Sequence, residues 1–91
     1  MSKELHFLVK QSKKGNQKAQ LKLYDWHCDA MFAISCRYLK NKEEAKDAMQ
    51  DGFLKAFLSL ENYVDGTNFS GWLKTIIINT CIDQLKRKKL N

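Results

Sequence analysis

Apolar residues recur along this chain at steps of three and four almost from end to end, a period that belongs to helices and not to strands. Leu5 and Leu8, joined by Val9 and Ser12, predict a short first helix over residues 3–13, ended by Gly15. Asn16 is placed to cap a second helix over 17–39. Its inward side carries Leu23, Tyr24, His27, Met31, Ile34 and Tyr38, with Ala19 and Ala30 small enough for close approach. The cleanest stripe is Ala45, Ala48, Met49, Phe53, Ala56, Phe57 and Leu60, which predicts a third helix over 42–60. Asn41 begins it, and Glu44 three residues on completes a capping-box pattern. Gly52 falls on the same stripe, where a small residue lets a neighbouring helix come near.

Between Glu61 and Asn68 the period breaks into turn formers, the longest loop in the chain. A fourth helix is predicted over 69–88. Its run Thr75-Ile76-Ile77-Ile78 is β-branched, but no turn signals flank it and no partner strand exists elsewhere. Leu73, Ile76, Ile77 and Thr80 form its inward side with Phe69 leading in, and Ile78, Ile82 and Leu85 form a second apolar sector. The fold class is therefore all-α: a compact bundle of one short N-terminal helix plus three longer ones.

Composition narrows the class further. Ninety-one residues hold one domain, 1–91, because a chain this short has no room for a second core. With no proline and four glycines it lacks the turns of a sandwich or barrel. No apolar run reaches the ~18 residues of a membrane span and no signal peptide opens the chain, so it reads as cytosolic with no membrane partner. Cys28, Cys36 and Cys81 are an odd set without C-x-x-C spacing, and they read as inert thiols. His27 beside Cys28 points about 100° away and cannot share an ion with it. No metal and no cofactor are implied. His6 and His27 lie in unrelated contexts, without paired carboxylates or a glycine-rich phosphate loop, so no enzyme constellation is present.

The net charge of +6 favours an anionic partner, but it is uneven. Residues 1–40 hold eight Lys or Arg against three acids, and residues 61–91 hold five against three. Residues 41–60 reverse the balance with three lysines against Glu43, Glu44, Asp47 and Asp51. Glu43, Asp47 and Asp51 share one helix face, with Gln50 beside them. Complementing the helix dipole accounts for Glu43 and Glu44 but poorly for Asp51, more than two turns in. A partner-binding face and a merely solvated one both remain open.

On the fourth helix a separate row runs Trp72, Thr75, Asn79, Asp83 and Lys86. A ring, a hydroxyl, an amide and a cation on one ridge suit base stacking and base-edge hydrogen bonds. Lys74, Arg87, Lys88 and Lys89 are placed to reach phosphates, and Asp83 to pair with Lys86 or Arg87. Core burial accounts equally for Trp72, solvation for Asn79, and a solvated tail for the terminal basic run.

At this point the residues resemble a known family. The stretch EEAKDAMQDGFLKAF from Glu43 to Phe57, followed by FSGWLKTIIINTCIDQLKRK from Phe69 to Lys88, resembles region 2 of bacterial RNA polymerase sigma factors. Within the sigma-70 family it looks most like the extracytoplasmic-function (ECF) group. GNQKAQLKLYDWHCDAMFAISCRYL is similar to the start of that region. The resemblance implies a transcription initiation domain and not an enzyme. Asp47, Gln50 and Asp51 would bind core RNA polymerase at the clamp helices of its largest subunit. The loop and fourth helix would recognise promoter DNA at the minus-ten element, partly single-stranded, and hold a flipped base. The positions that match for this are Tyr63, Asn68, Ser70, Trp72, Lys74, Thr75, Asn79, Lys86 and Arg87, with Asp83 in support. An anti-sigma factor is a further candidate partner. Family members usually continue into a second promoter-binding domain, whereas this sequence ends at Asn91. The alternative reading is a helical protein-interaction module that never touches DNA.

Overall fold

The computed structural model describes residues 2–90, and the elements follow the sequence closely. Helix α1 spans Lys3–Lys13, α2 Gln17–Tyr38, α3 Lys42–Leu58 and α4 Phe69–Leu90, with one 3-10 turn at Leu60–Asn62. No strand occurs among the described residues, and no described helix is long and apolar enough to cross a membrane. The four-helix expectation holds.

Each helix start is capped by a short polar side chain. Ser2 Oγ accepts from the Leu5 N–H, Asn16 Oδ1 from Ala19, Asn41 Oδ1 from Glu44, and Asn68 Oδ1 from Gly71. Such a cap contributes about 1 kcal/mol. The capping box at Asn41 is only half made, because the Glu44 carboxylate instead takes Lys88 Nζ of α4 at 2.6 Å. Gly15 turns the chain after α1 at φ +88°, a left-handed conformation that disfavours side chains.

Leu8 and Val9 of α1, Leu23 and Met31 of α2, Met49 and Phe53 of α3, and Phe69, Leu73, Ile77 and Cys81 of α4 close over one core. Helix α2 packs against all three others. The α3–α4 contact is tight at Gly52: a Cβ there would stand 2.5 Å from Ile77 Cδ1 and 3.2 Å from Ile77 Cα. The predicted close-packing role of Gly52 is thus a backbone-to-backbone approach.

Several details differ from expectation. Helix α3 stops at Leu58, and Leu60 enters the core from the 3-10 turn. Ala30 is exposed, and the buried small residue five positions later is Ser35, whose hydroxyl donates to the Met31 carbonyl. Ile78 and Ile82 are half-buried at the edge of α4, while Leu85 packs on the core.

Candidate functional site

Two surfaces stand out, one on each partner of the α3–α4 pair. On α3, Asp47, Gln50 and Asp51 are all exposed. They line a shallow groove with Leu54 and with Gln84 of α4. Leu54 and Leu58, 56% and 74% exposed, extend the face along the helix at steps of three and four from Asp51. The two leucines thus set apolar surface beside the carboxylates on one face of α3. The pattern was visible in the sequence as two leucines lying off the buried stripe. Gln84 carried no such signal, because only tertiary packing brings it to α3.

Arg87 lines a neighbouring depression that shares Asp47 and Gln84 with this groove. It stands with Lys88, Gln84, Glu44 and Asp47 on the α3 side of α4 and does not continue the Trp72 ridge. Among the described residues the ion pairs are Lys88–Glu44 at 2.6 Å and Lys13–Asp65 at 2.9 Å. Asp83 makes no ion pair with Lys86 or Arg87, contrary to expectation. An exposed pair at helical spacing is worth only about 0.3–0.5 kcal/mol, too little to hold two long side chains in place.

The second surface is the exposed side of α4 with the loop before it. Lys74, Thr75, Asn79, Asp83 and Lys86 are all exposed. Thr75 Oγ1 donates to the Gly71 carbonyl at 3.1 Å, which leaves its lone pairs as acceptors. Trp72 is half-buried, stacked at a tilt on Tyr63 and Phe69 with centroids 5.4 and 5.8 Å away. It is both core and surface, so the two readings of the sequence were not exclusive.

Tyr63 corrects the sequence reading. It is 2% exposed, stacked edge-on against Phe69, and its hydroxyl donates to the Thr67 carbonyl. A ring so enclosed shapes the loop and does not meet a base. From 50 residues away, Lys13 completes the arrangement. Its Nζ donates to the Tyr63 carbonyl at 2.6 Å, pairs with Asp65 and sits 5.5 Å from the Tyr63 ring centroid. The hydrogen bond from Lys13 lowers the Asp65 carboxyl below its usual range; desolvation opposes it, and the charges of Lys13, Lys10 and His6 add to the lowering. Gly66, at φ +85°, lets the chain reverse between Asp65 and Thr67. Asn68 is held as the α4 cap, and Ser70 Oγ lies 2.9 Å from Nε2 of the buried His27. Neither Lys13 nor His27 is marked by any local sequence signal for this role.

Cys28 and Cys36 are half-buried and Cys81 is buried. Desolvation holds the Cys28 thiol protonated, reinforced by the charges of Asp29 and Asp25, so it is a poor nucleophile.

Residues 23–90 match the family model for Sigma-70 region 2. The chain belongs to the sigma-70 region 2 family. The ECF sigma factor SigW of Bacillus subtilis is 35% identical over 81 residues, which is 89% of this chain and 43% of that protein. The ECF sigma factor SigE of Mycolicibacterium smegmatis is 36% identical over 62 residues, covering 68% and 24% of the two chains. The chain thus spans less than half the length of these relatives, and it is a region 2 domain of the ECF group. In fold it is similar to an engineered region 2 of sigmaE solved by NMR in complex with GTAAAA. The TM-score is 0.88 at 28% identity, covering 98% of this chain and 95% of that one. Sigma factors are transcription initiation factors and not enzymes.

Proposed function

We propose that this domain, in the cytoplasm, holds core RNA polymerase on its α3 face while it captures one strand of a promoter's minus-ten element on its α4 face. The observation that carries the reading is that one domain presents both faces at once: exposed Asp47, Gln50, Asp51 and Leu54 on one helix, and half-buried Trp72 with exposed Thr75 and Asn79 on the next. On the polymerase side, the carboxylates meet cations on the clamp helices of the largest subunit, and Leu54 and Leu58 supply apolar contact. On the DNA side, Lys74 and Lys86 neutralise phosphates and give affinity without sequence. Trp72 stacks on an unpaired base, while Thr75 and Asn79 meet base edges. Unpairing and unstacking a base costs a few kcal/mol. Stacking returns about 1–3 kcal/mol per captured base, so strand separation is favoured when both it and the base-edge contacts form.

Two measurements test this. The first titrates the chain with single-stranded GTAAAA at low and moderate salt. Contacts to about three phosphates of a single strand should weaken binding by roughly 20-fold between 50 and 200 mM salt. Binding that ignores salt, or no binding at all, would return the chain to the interaction-module alternative. The second asks whether the chain co-purifies with core polymerase; no association would remove the α3 assignment.

A further inference from the structure

A groove of about 230 Å³ runs between α1 and α2 and shares no residue with either face described above. Buried Leu8 and Ala19 form its floor, and Phe7, 59% exposed, stands at its wall. Exposed Lys18 and Lys22 also line it, and none of its lining residues is acidic. Among the described residues neither lysine enters an ion pair. Trp26, 47% exposed, follows one turn after Lys22, and Lys3, Lys10 and Lys14 flank Phe7 at helical steps on α1. Cations around an apolar slot smaller than a small-ligand site suit an acidic helix that offers single apolar side chains.

The chain carries such a helix itself. On α3, Asp47 and Asp51 precede bare Leu54 and Leu58 at steps of four, three and four. At 1.5 Å per residue, Asp47 to Leu58 covers about 16 Å and Lys18 to Trp26 about 12 Å. Both lines read charge, charge, apolar, with opposite charges. Laying Asp47 and Asp51 against Lys18 and Lys22 brings the two leucines alongside Trp26. Within one chain the two surfaces are separate, since all of these side chains are exposed and α3 packs on α2 and α4 instead.

We infer that the α1–α2 groove of one copy takes the acidic α3 face of a second copy. The contact joins two unlike faces, so each added chain presents a free face to the next unless a ring closes. The net charge of +6 repels copies at long range. At about 0.1 M salt that repulsion is screened beyond about 10 Å, while pairs desolvated in the contact are screened much less. Chains in the assembly have Asp47 and Asp51 covered and are withheld from polymerase. That consequence rests on the polymerase reading above, whereas the contact itself does not.

The test therefore uses neither polymerase nor DNA. Sedimentation equilibrium of the unsubstituted chain, in reducing buffer at about 0.1 M salt, should give the mass of one chain in dilute solution. The mass should rise with a dissociation constant of about 100 μM, in keeping with a small transient interface. Lys18→Glu/Lys22→Glu and Asp47→Lys/Asp51→Lys should each weaken association by about tenfold or more, because like charges then meet. Mixing the two variants should bring it back to within about threefold, since one keeps the acidic α3 face and the other the basic groove. A second readout needs no variant: on dilution of the unsubstituted chain, amide NMR shifts should move over residues 7–26 and 47–58 together. A chain that stays single at about 1 mM, a variant that associates undiminished, a mixture no better than its components, or shifts confined to other surfaces would each overturn the inference. Polymerase binding by a chain that stays single would leave the proposed function standing and remove this inference alone.

Discussion

The α3 face and the loop–α4 face are built in opposite ways. The first is nearly all one helix: Asp47, Gln50, Asp51, Leu54 and Leu58 follow from helical spacing, with Gln84 the one contribution from elsewhere. The second is assembled from distant parts. Lys13 of α1 ties down Tyr63 and Asp65, His27 of α2 orients Ser70, and Asn68 caps the helix that carries Trp72. A face carried by one helix survives damage elsewhere as long as the helix stands. A face assembled across the fold transmits distant changes to its ligand. Polymerase binding should therefore be robust to substitutions in α1, and DNA binding should not.

The largest expected effect breaks both faces together. Gly52→Ala drives a methyl group into Ile77, including its Cα. The strain should cost about 1–3 kcal/mol and lower the melting temperature by roughly 5–20 °C, read by thermal circular dichroism. Asp51→Arg should separate the faces. Placing like charges against the partner costs several kcal/mol, so association with core polymerase should fall by about 100-fold or more, while oligonucleotide affinity stays within about twofold. Trp72→Ala should do the reverse. Loss of one stacked base is worth about 1–3 kcal/mol, or roughly 5- to 150-fold in oligonucleotide affinity. Equal weakening of polymerase association would make Trp72 only a core residue.

Smaller effects sharpen the contrast. Lys13→Met keeps the aliphatic packing and removes the tie to Tyr63 and Asp65. Leaving that loop to be ordered on binding should weaken the oligonucleotide by about 3- to 10-fold in fluorescence titrations and leave polymerase association unchanged. The same tie carries a pH dependence of known sign. Because the Asp65 carboxyl is lowered in the folded chain, the pairing is complete at neutral pH and is lost as pH falls through that lowered value. Amide NMR shifts over residues 63–68 should move only as pH falls through that lowered value, and Lys13→Met should displace the movement to higher pH. Smallest of all is Glu44→Gln. Its pair with Lys88 joins two side chains 38% and 57% exposed, so less than about 1 kcal/mol of stability should be lost by denaturant melt.

The same division explains what could be read from the chain in advance. Four helices, the α3 stripe, the close approach at Gly52 and the acidic face all rest on local period, and local period is what a sequence displays. Tyr63 could not be placed that way. It stands alone among turn formers, and its burial comes from Phe69, Trp72 and Lys13. Arg87 lines one depression with Glu44 and Asp47 of α3, a neighbourhood that its place in the basic tail did not show. The pairing of Asp83 with its helical neighbours had the right spacing but too little energy behind it. His27 was legible as an inward residue of α2, but nothing 43 positions away marked Ser70 as its partner.

Because the two faces are separate, polymerase and single-stranded DNA should occupy the domain together. The direct measurement is fluorescence anisotropy of a labelled, tightly bound hexanucleotide on the chain as core polymerase is added. A further rise in anisotropy, with affinity unchanged or tighter, marks the ternary complex expected here. Release of the oligonucleotide as polymerase binds would mean that the two ligands compete for one surface, and the assignment of separate faces to α3 and α4 would be wrong.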